Sequence, residues 1–200
     1  MTATPTILNV RHLLRKKIIL TDGVMQQSGF ISQIFLHPSK GKLLGFELRL
    51  EGKAIPMLIA INYLLFNATP SGHDQVAGLT DSFTLVEAFE DGATTYQEFL
   101  DTEVITDDGN RCGRIKEVYF GQEGLQTVYQ VRASGWRGLF RQSYFINGSK
   151  SHYYSYKHRR LVLLVETPRF SSLTAVQKYL QLYPAITFPD NHTQSFSRSR

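Results

Sequence analysis

Two hundred residues at 42% apolar composition mark an ordinary globular chain, enough for one large or two small cores. A single cysteine, Cys112, excludes an intrachain disulfide framework and points to a reducing compartment. The net charge of +5 is unevenly spread: residues 1–100 carry eight basic and nine acidic residues, residues 101–200 fourteen and eight.

Residues 1–9 read as a loose lead without the charged and apolar regions of a secretion signal. Val10, Leu13 and Leu14 then suggest a short helical turn, and Ile18 to Gly23 a strand and an Asp-Gly turn. A second strand runs from Gly29 to Leu36, and Leu44, Phe46 and Leu48 alternate with polar or small residues in a third. The longest apolar run, 54–66, is broken by Pro56 and Asn62 and is too short to span a bilayer. Residues 67–75 read as a loop, Phe83–Glu87 as a closing strand and Glu90–Thr95 as a linker.

The pattern then begins again. At an offset of 86, Val10, Leu13, Ile18, Asp22 and Gly23 fall on Tyr96, Phe99, Val104, Asp108 and Gly109. Past the turn the offset drops to 84, where Gly29 meets Gly113, and then to 83, where Leu44, Phe46 and Leu48 meet Thr127, Tyr129 and Val131. The closing strand recurs as Leu163–Glu166. The first copy therefore carries two extra residues in its hairpin loop, where insertion costs least. Triplets at one offset have opposite sign, Arg15-Lys16-Lys17 and Asp101-Thr102-Glu103. Either both are solvated, or they face each other across an interface between the copies. Downstream, Leu173, Val176, Tyr179, Leu180 and Tyr183 form a helical stripe that Ser171 or Ser172 can cap and Pro184 can stop. Residues 190–200 are polar and are expected to be disordered.

The strand, the Asp-Gly turn and the run Gly113-x-Ile115-x-x-Val118-x-Phe120 resemble the PRC-barrel, a family found in the cytoplasmic domain of the photosynthetic reaction centre H subunit and in a ribosome maturation factor. Gly135-Trp136-Arg137-Gly138 is similar to a turn of some bacterial members. The resemblance covers about residues 8–167 and is looser in the first copy. It implies a mainly β chain of two tandem small PRC-barrel-like β-barrels plus a C-terminal helix. The expected division is 1–90, 91–167 and a helix with tail at 168–200. It also implies an adaptor or assembly module without catalytic residues.

Between Arg132 and Arg160 seven basic residues and seven aromatic ones occur with no acid at all. Such a surface neutralises phosphates while rings stack on bases, or sits on an anionic membrane face or an acidic protein. The plainer explanation sends the aromatics to the core and the basic residues to solvent. Trp136, Arg137, Arg141, Tyr144, Tyr154, Arg159 and Arg160 are the expected partner-binding residues. No P-loop, G-x-S-x-G, H-E-x-x-H or Cys-x-x-Cys occurs, and the six histidines are scattered. No catalytic residue, metal, cofactor or small-molecule substrate is expected. The expected function is a non-catalytic adaptor docking on a larger protein complex, by resemblance a photosynthetic membrane complex, from a cytoplasmic or peripheral membrane position. The alternative is an RNA-binding ribosome or RNA maturation factor.

Overall fold

The computed structural model describes residues 7–15, 17–22, 25–60, 77–79, 84–86, 88–121, 126–135 and 142–182. They are mainly β. The first copy contains β2 (Lys17–Asp22), β3 (Met25–His37), β4 (Lys42–Leu50), β5 (Met57–Ala60), β6 (Ala77–Leu79) and β7 (Thr84–Leu85). The second contains β9 (Glu103–Thr106), β10 (Arg111–Gly121), β11 (Thr127–Ala133), β12 (Ser143–Asn147), β13 (Ser151–Ser155) and β14 (Arg160–Leu163). Each copy folds β2–β3–β4–β5 or β9–β10–β11–β12 as an antiparallel meander, and β6 or β14 returns to lie parallel to its first strand. Neither ladder closes among the described residues, whose strands form two open seven-stranded sheets.

The repeat predicted from the sequence reappears in the pairing register. Ile18 sits opposite Gly29 as Val104 sits opposite Gly113, and both long strands bulge two turns of the pleat later, at Ile31/Gln33 and Ile115/Glu117. The repeated glycine has a steric cause. A Cβ on Gly29 would lie 2.5 Å from the Arg49 carbonyl oxygen, and one on Gly113 would lie 2.1 Å from that of Arg132. Buried residues coincide as well: Val10 and Tyr96, Leu13 and Phe99, Ile34 and Val118, Leu36 and Phe120, Phe46 and Tyr129. One expectation is corrected. The strand equivalent to β14 is β6, which pairs with β2, whereas β7 pairs with β5 in the way Phe170 bridges to Phe145. Apolar content at 83–87 misled because β6, Ala-Gly-Leu, carries almost none of the strand signal.

The copies exchange their leading strands. β1 (Ile7–Asn9) lies on β10 of the second sheet, and β8 (Thr94–Thr95) lies on β3 of the first. The exchange is symmetric: Asn9 opposes Tyr119 as Thr95 opposes Phe35. Each leading strand runs into a short helical turn, a 3-10 turn at Val10–Leu13 and α1 (Tyr96–Phe99). Asn9 caps the first through Arg11 N–H, and Thr95 and Glu98 form a capping box on the second. An isolated bridge between Lys42 and Gln126, equivalent positions in the two copies, marks the pseudo-twofold axis. Beside it Tyr129 donates its hydroxyl to the Pro38 carbonyl at 3.1 Å, and Thr127 N–H donates across the copies to the Gly41 carbonyl at 2.9 Å.

Most of the buried apolar residues of both copies form one cluster, from Val10 and Ile18 through Phe46, Phe99 and Tyr129 to Leu163. A polar anchor ties the exchanged segments to it. Tyr96 donates its hydroxyl to the buried carboxylate of Glu117, and Arg11 from the 3-10 turn lies 3.4 Å from the other Glu117 oxygen. Burial and the carboxylate beside it push the Tyr96 hydroxyl well above the ordinary tyrosine range. The expected C-terminal helix is α2 (Leu173–Leu182), with Ser172 Oγ accepting from Ala175 N–H. Its Val176 is buried with Val128 and Phe145 of the second sheet in one cluster, against which Leu173 and Leu180 of the helix and Ile7 of β1 also pack. The loop expected at 67–75, Pro184 and the tail lie outside the described residues. Among the described residues no helix is long and apolar enough to cross a membrane.

Candidate functional site: an arginine row across the second sheet

Strand pairing aligns charged residues transversely in the second copy. Arg132 on β11 is directly opposite Arg114 on β10, Arg114 is opposite Glu103 on β9, and Glu103 is opposite Arg160 on β14. Neighbours in such a row are about 5 Å apart at Cα. Like charges directly opposite one another destabilise a sheet, so Arg114 beside Arg132 is a local conflict that fold stability does not favour.

Two acids hold the row in place. Glu103 receives Arg160 Nε at 2.8 Å and Arg111 Nε at 3.1 Å, one on each carboxylate oxygen. The Arg160 hydrogen bond, then the nearby guanidinium charges, hold the Glu103 carboxyl below the usual carboxylate range. Asp101 takes Arg132 Nη2 at 3.3 Å on its carboxylate and Arg114 Nη1 at 2.9 Å on its backbone carbonyl. Asp101 adopts a left-handed backbone with φ of 58°, as its counterpart Arg15 does with φ of 63°. Among the described residues the acids of the triplet 101–103 therefore serve arginines of their own copy. No described ion pair joins them to Arg15 or Lys17.

Among the described residues the first copy has no such row. Its equivalent positions are Arg49, Phe30 and Lys17, paired in the same order, and Phe30 is 42% exposed. Both rows therefore carry a net charge of +2, three arginines less one glutamate in the second copy and one arginine plus one lysine in the first, and they differ in the kind of group presented and not in the sum.

The expected partner-binding residues divide into three groups. Arg160 belongs to the row. Trp136, Arg137 and Arg141 lie outside the described residues. Tyr144, Tyr154 and Arg159 have structural contacts. Tyr154 is 3% exposed and packs edge-on against Phe99 at 5.6 Å between ring centroids. Tyr144 is half-buried, donates its hydroxyl to the Cys112 carbonyl at 3.4 Å, and is covered by the Arg169 guanidinium 5.5 Å from its ring centroid. Arg159 donates to the carbonyls of Glu98 and Leu100, at 2.6 and 2.9 Å, closing the C-terminal end of α1. Replacing Arg159 with alanine is accordingly expected to cost about 1 kcal/mol, the scale of an exposed charge-assisted cap, and to be read as a lowered midpoint in denaturant titration. Unchanged stability would contradict the clamp.

Arg111, Arg114 and Arg132 were not singled out by sequence reasoning as a group. The available signal was the alignment of the copies, which sets Arg114 against Phe30 at an outward strand position. No protein-family model matches the chain, and no curated protein matches it.

Proposed function

We propose that the chain is a non-catalytic adaptor or assembly factor, built of two PRC-barrel-like repeats, that docks on an anionic partner through the second copy. The observation that carries this reading is the row Arg132–Arg114–Glu103–Arg160, present in one copy and replaced by Arg49–Phe30–Lys17 in the other. The interlocked sheets supply a rigid frame, and the row supplies oriented guanidinium forks that engage carboxylate or phosphate in pairs. The favoured partner is a protein complex with an acidic face, and the PRC-barrel resemblance suggests a photosynthetic complex met at the membrane surface.

Affinity capture from native lysate, at low and high salt and with nuclease treatment, tests this reading. A protein complex retained after nuclease and weakened by added salt is the expected result, since exposed charges are screened within about 8–10 Å at moderate ionic strength. Loss of every partner on nuclease treatment would replace it with the RNA-binding alternative, whose affinity also falls steeply with salt.

A further inference from the structure

Beside the row, β9, β10 and β11 enclose a shallow groove of about 230 Å³. Arg111, Arg114 and Arg132 line it together with the small residues Gly113, Ala133 and Ser134. Glu103 is the only acid among its lining residues and Asp101 pairs with Arg132 beside it, so three guanidinium groups meet two carboxylates.

We infer that this groove binds a phosphate-class oxyanion. Among the described residues each guanidinium is held along one edge: Arg111 by Nε on Glu103, Arg114 by Nη1 on the neutral Asp101 carbonyl, and Arg132 by Nη2 on Asp101. A guanidinium has five N–H donors in a planar fork, so these anchors fix orientation without consuming the donor set. Three anchored forks around one depression supply more donors than the two oxygens of a carboxylate accept, whereas a doubly charged tetrahedral oxyanion offers an acceptor to each. The site also gives a reason for the opposed Arg114 and Arg132, whose repulsion a bound dianion relieves. Gly113 lets β10 and β11 approach closely beneath the arginines: it is buried, and the Arg132 carbonyl 2.1 Å from where a Cβ would stand explains why no larger residue can be tolerated there.

The inference deepens the docking reading, resting on it for the use of this face, by naming the chemistry the face captures. Its test is separate. The full chain is titrated with inorganic phosphate, chloride being adjusted to hold ionic strength constant, while backbone amide resonances are followed. Saturable shifts confined to Gly113, Arg114 and Arg132–Ser134 are expected. Arg114→Gln and Arg132→Gln should each weaken binding about tenfold, the loss of one charge-assisted contact, and Arg132→Lys less, because it keeps the charge but not the fork. Arg49→Gln, at the equivalent site of the first copy, should change nothing. The same spectra report whether each variant is folded. Shifts that rise without saturating, or that are equally large around Arg49, would overturn the site.

Two further arms identify the source of the phosphate. Sedimentation with phosphatidic acid vesicles but not phosphatidylcholine vesicles, lost in Arg114→Gln, supports the site with a lipid headgroup as ligand. Saturable phosphate binding without sedimentation supports it with a soluble phosphate ester. Absence of the site with partner capture intact would leave the docking reading standing on carboxylates, so the two failures are distinguishable.

Discussion

Cut between Asp91 and Gly92 and produced separately, the two halves are expected to lose their native structure. The first half would lose β8 and α1, and with them the pairing of Thr94 and Thr95 to Leu36 and Phe35. The second half would lose β1 and the following 3-10 turn, leaving one edge of the Tyr119–Gly121 end of β10 unpaired and Glu117 without Arg11. Each would also expose one side of a core that the copies share. Small domains have only about 5–15 kcal/mol of net stability, and each buried aromatic or aliphatic side chain exposed removes about 1.5–3 kcal/mol. Neither half can absorb the loss of several such residues. Amide spectra of the separate halves should be collapsed, and mixing the halves should restore dispersion as the exchanged strands find their sheets. Two well-dispersed spectra without mixing would show that the copies are independent domains.

Phe99→Ala is expected to be the most damaging single truncation. Phe99 is fully buried at the end of α1, a segment whose strand belongs to the first sheet, yet its ring meets Tyr129 of β11 at 4.9 Å and Tyr154 of β13 at 5.6 Å, both edge-on. It therefore joins the two sheets through aromatic contacts worth more than their buried area alone. Truncating a buried phenylalanine costs about 3–5 kcal/mol, a large share of the total. Arg159, which closes the carbonyls beside it, would lose the geometry of its clamp at the same time. Denaturant titration should show a single transition moved far toward water, with both copies unfolding together. A loss confined to resonances of the second copy would contradict the shared core.

Much of this fold was legible because the repeat is written in residues whose burial or backbone path leaves few substitutes. Gly29 and Gly113 recur because a strand carbonyl occupies the space of a Cβ, and Ile34 and Val118 or Phe46 and Tyr129 recur because both face one core. The strand exchange was not legible. Ile7–Asn9 reads as a lead and Thr94–Thr95 as part of a linker, since neither is long enough to show alternation and their pairing is set by tertiary contacts. The parallel closing strand β6 was hidden for the same reason.

The binding surface was legible in part. Counting charge located the basic half, and Arg160 was among the residues it indicated. A linear run from 132 to 160 cannot show that Arg114, on an earlier strand, completes the row or that Arg111 pairs with Glu103 within it, because cross-strand neighbours are far apart in sequence. Nor can it show that Tyr154 points into the core and that Arg159 is committed to α1. Alternation would have assigned the first of these only with the strand register in hand.

The docking account is tested most directly by measuring partner capture from the same lysate with two charge-reversed variants of the full chain. One carries Arg114→Glu, Arg132→Glu and Arg160→Glu, and the other carries Lys17→Glu and Arg49→Glu at equivalent positions of the first copy. Both sets are exposed, so both variants should retain the circular dichroism of the parent chain. The account predicts that the first variant captures nothing and the second captures as well as the parent. Undiminished capture by the first, or equal loss in both, would contradict it.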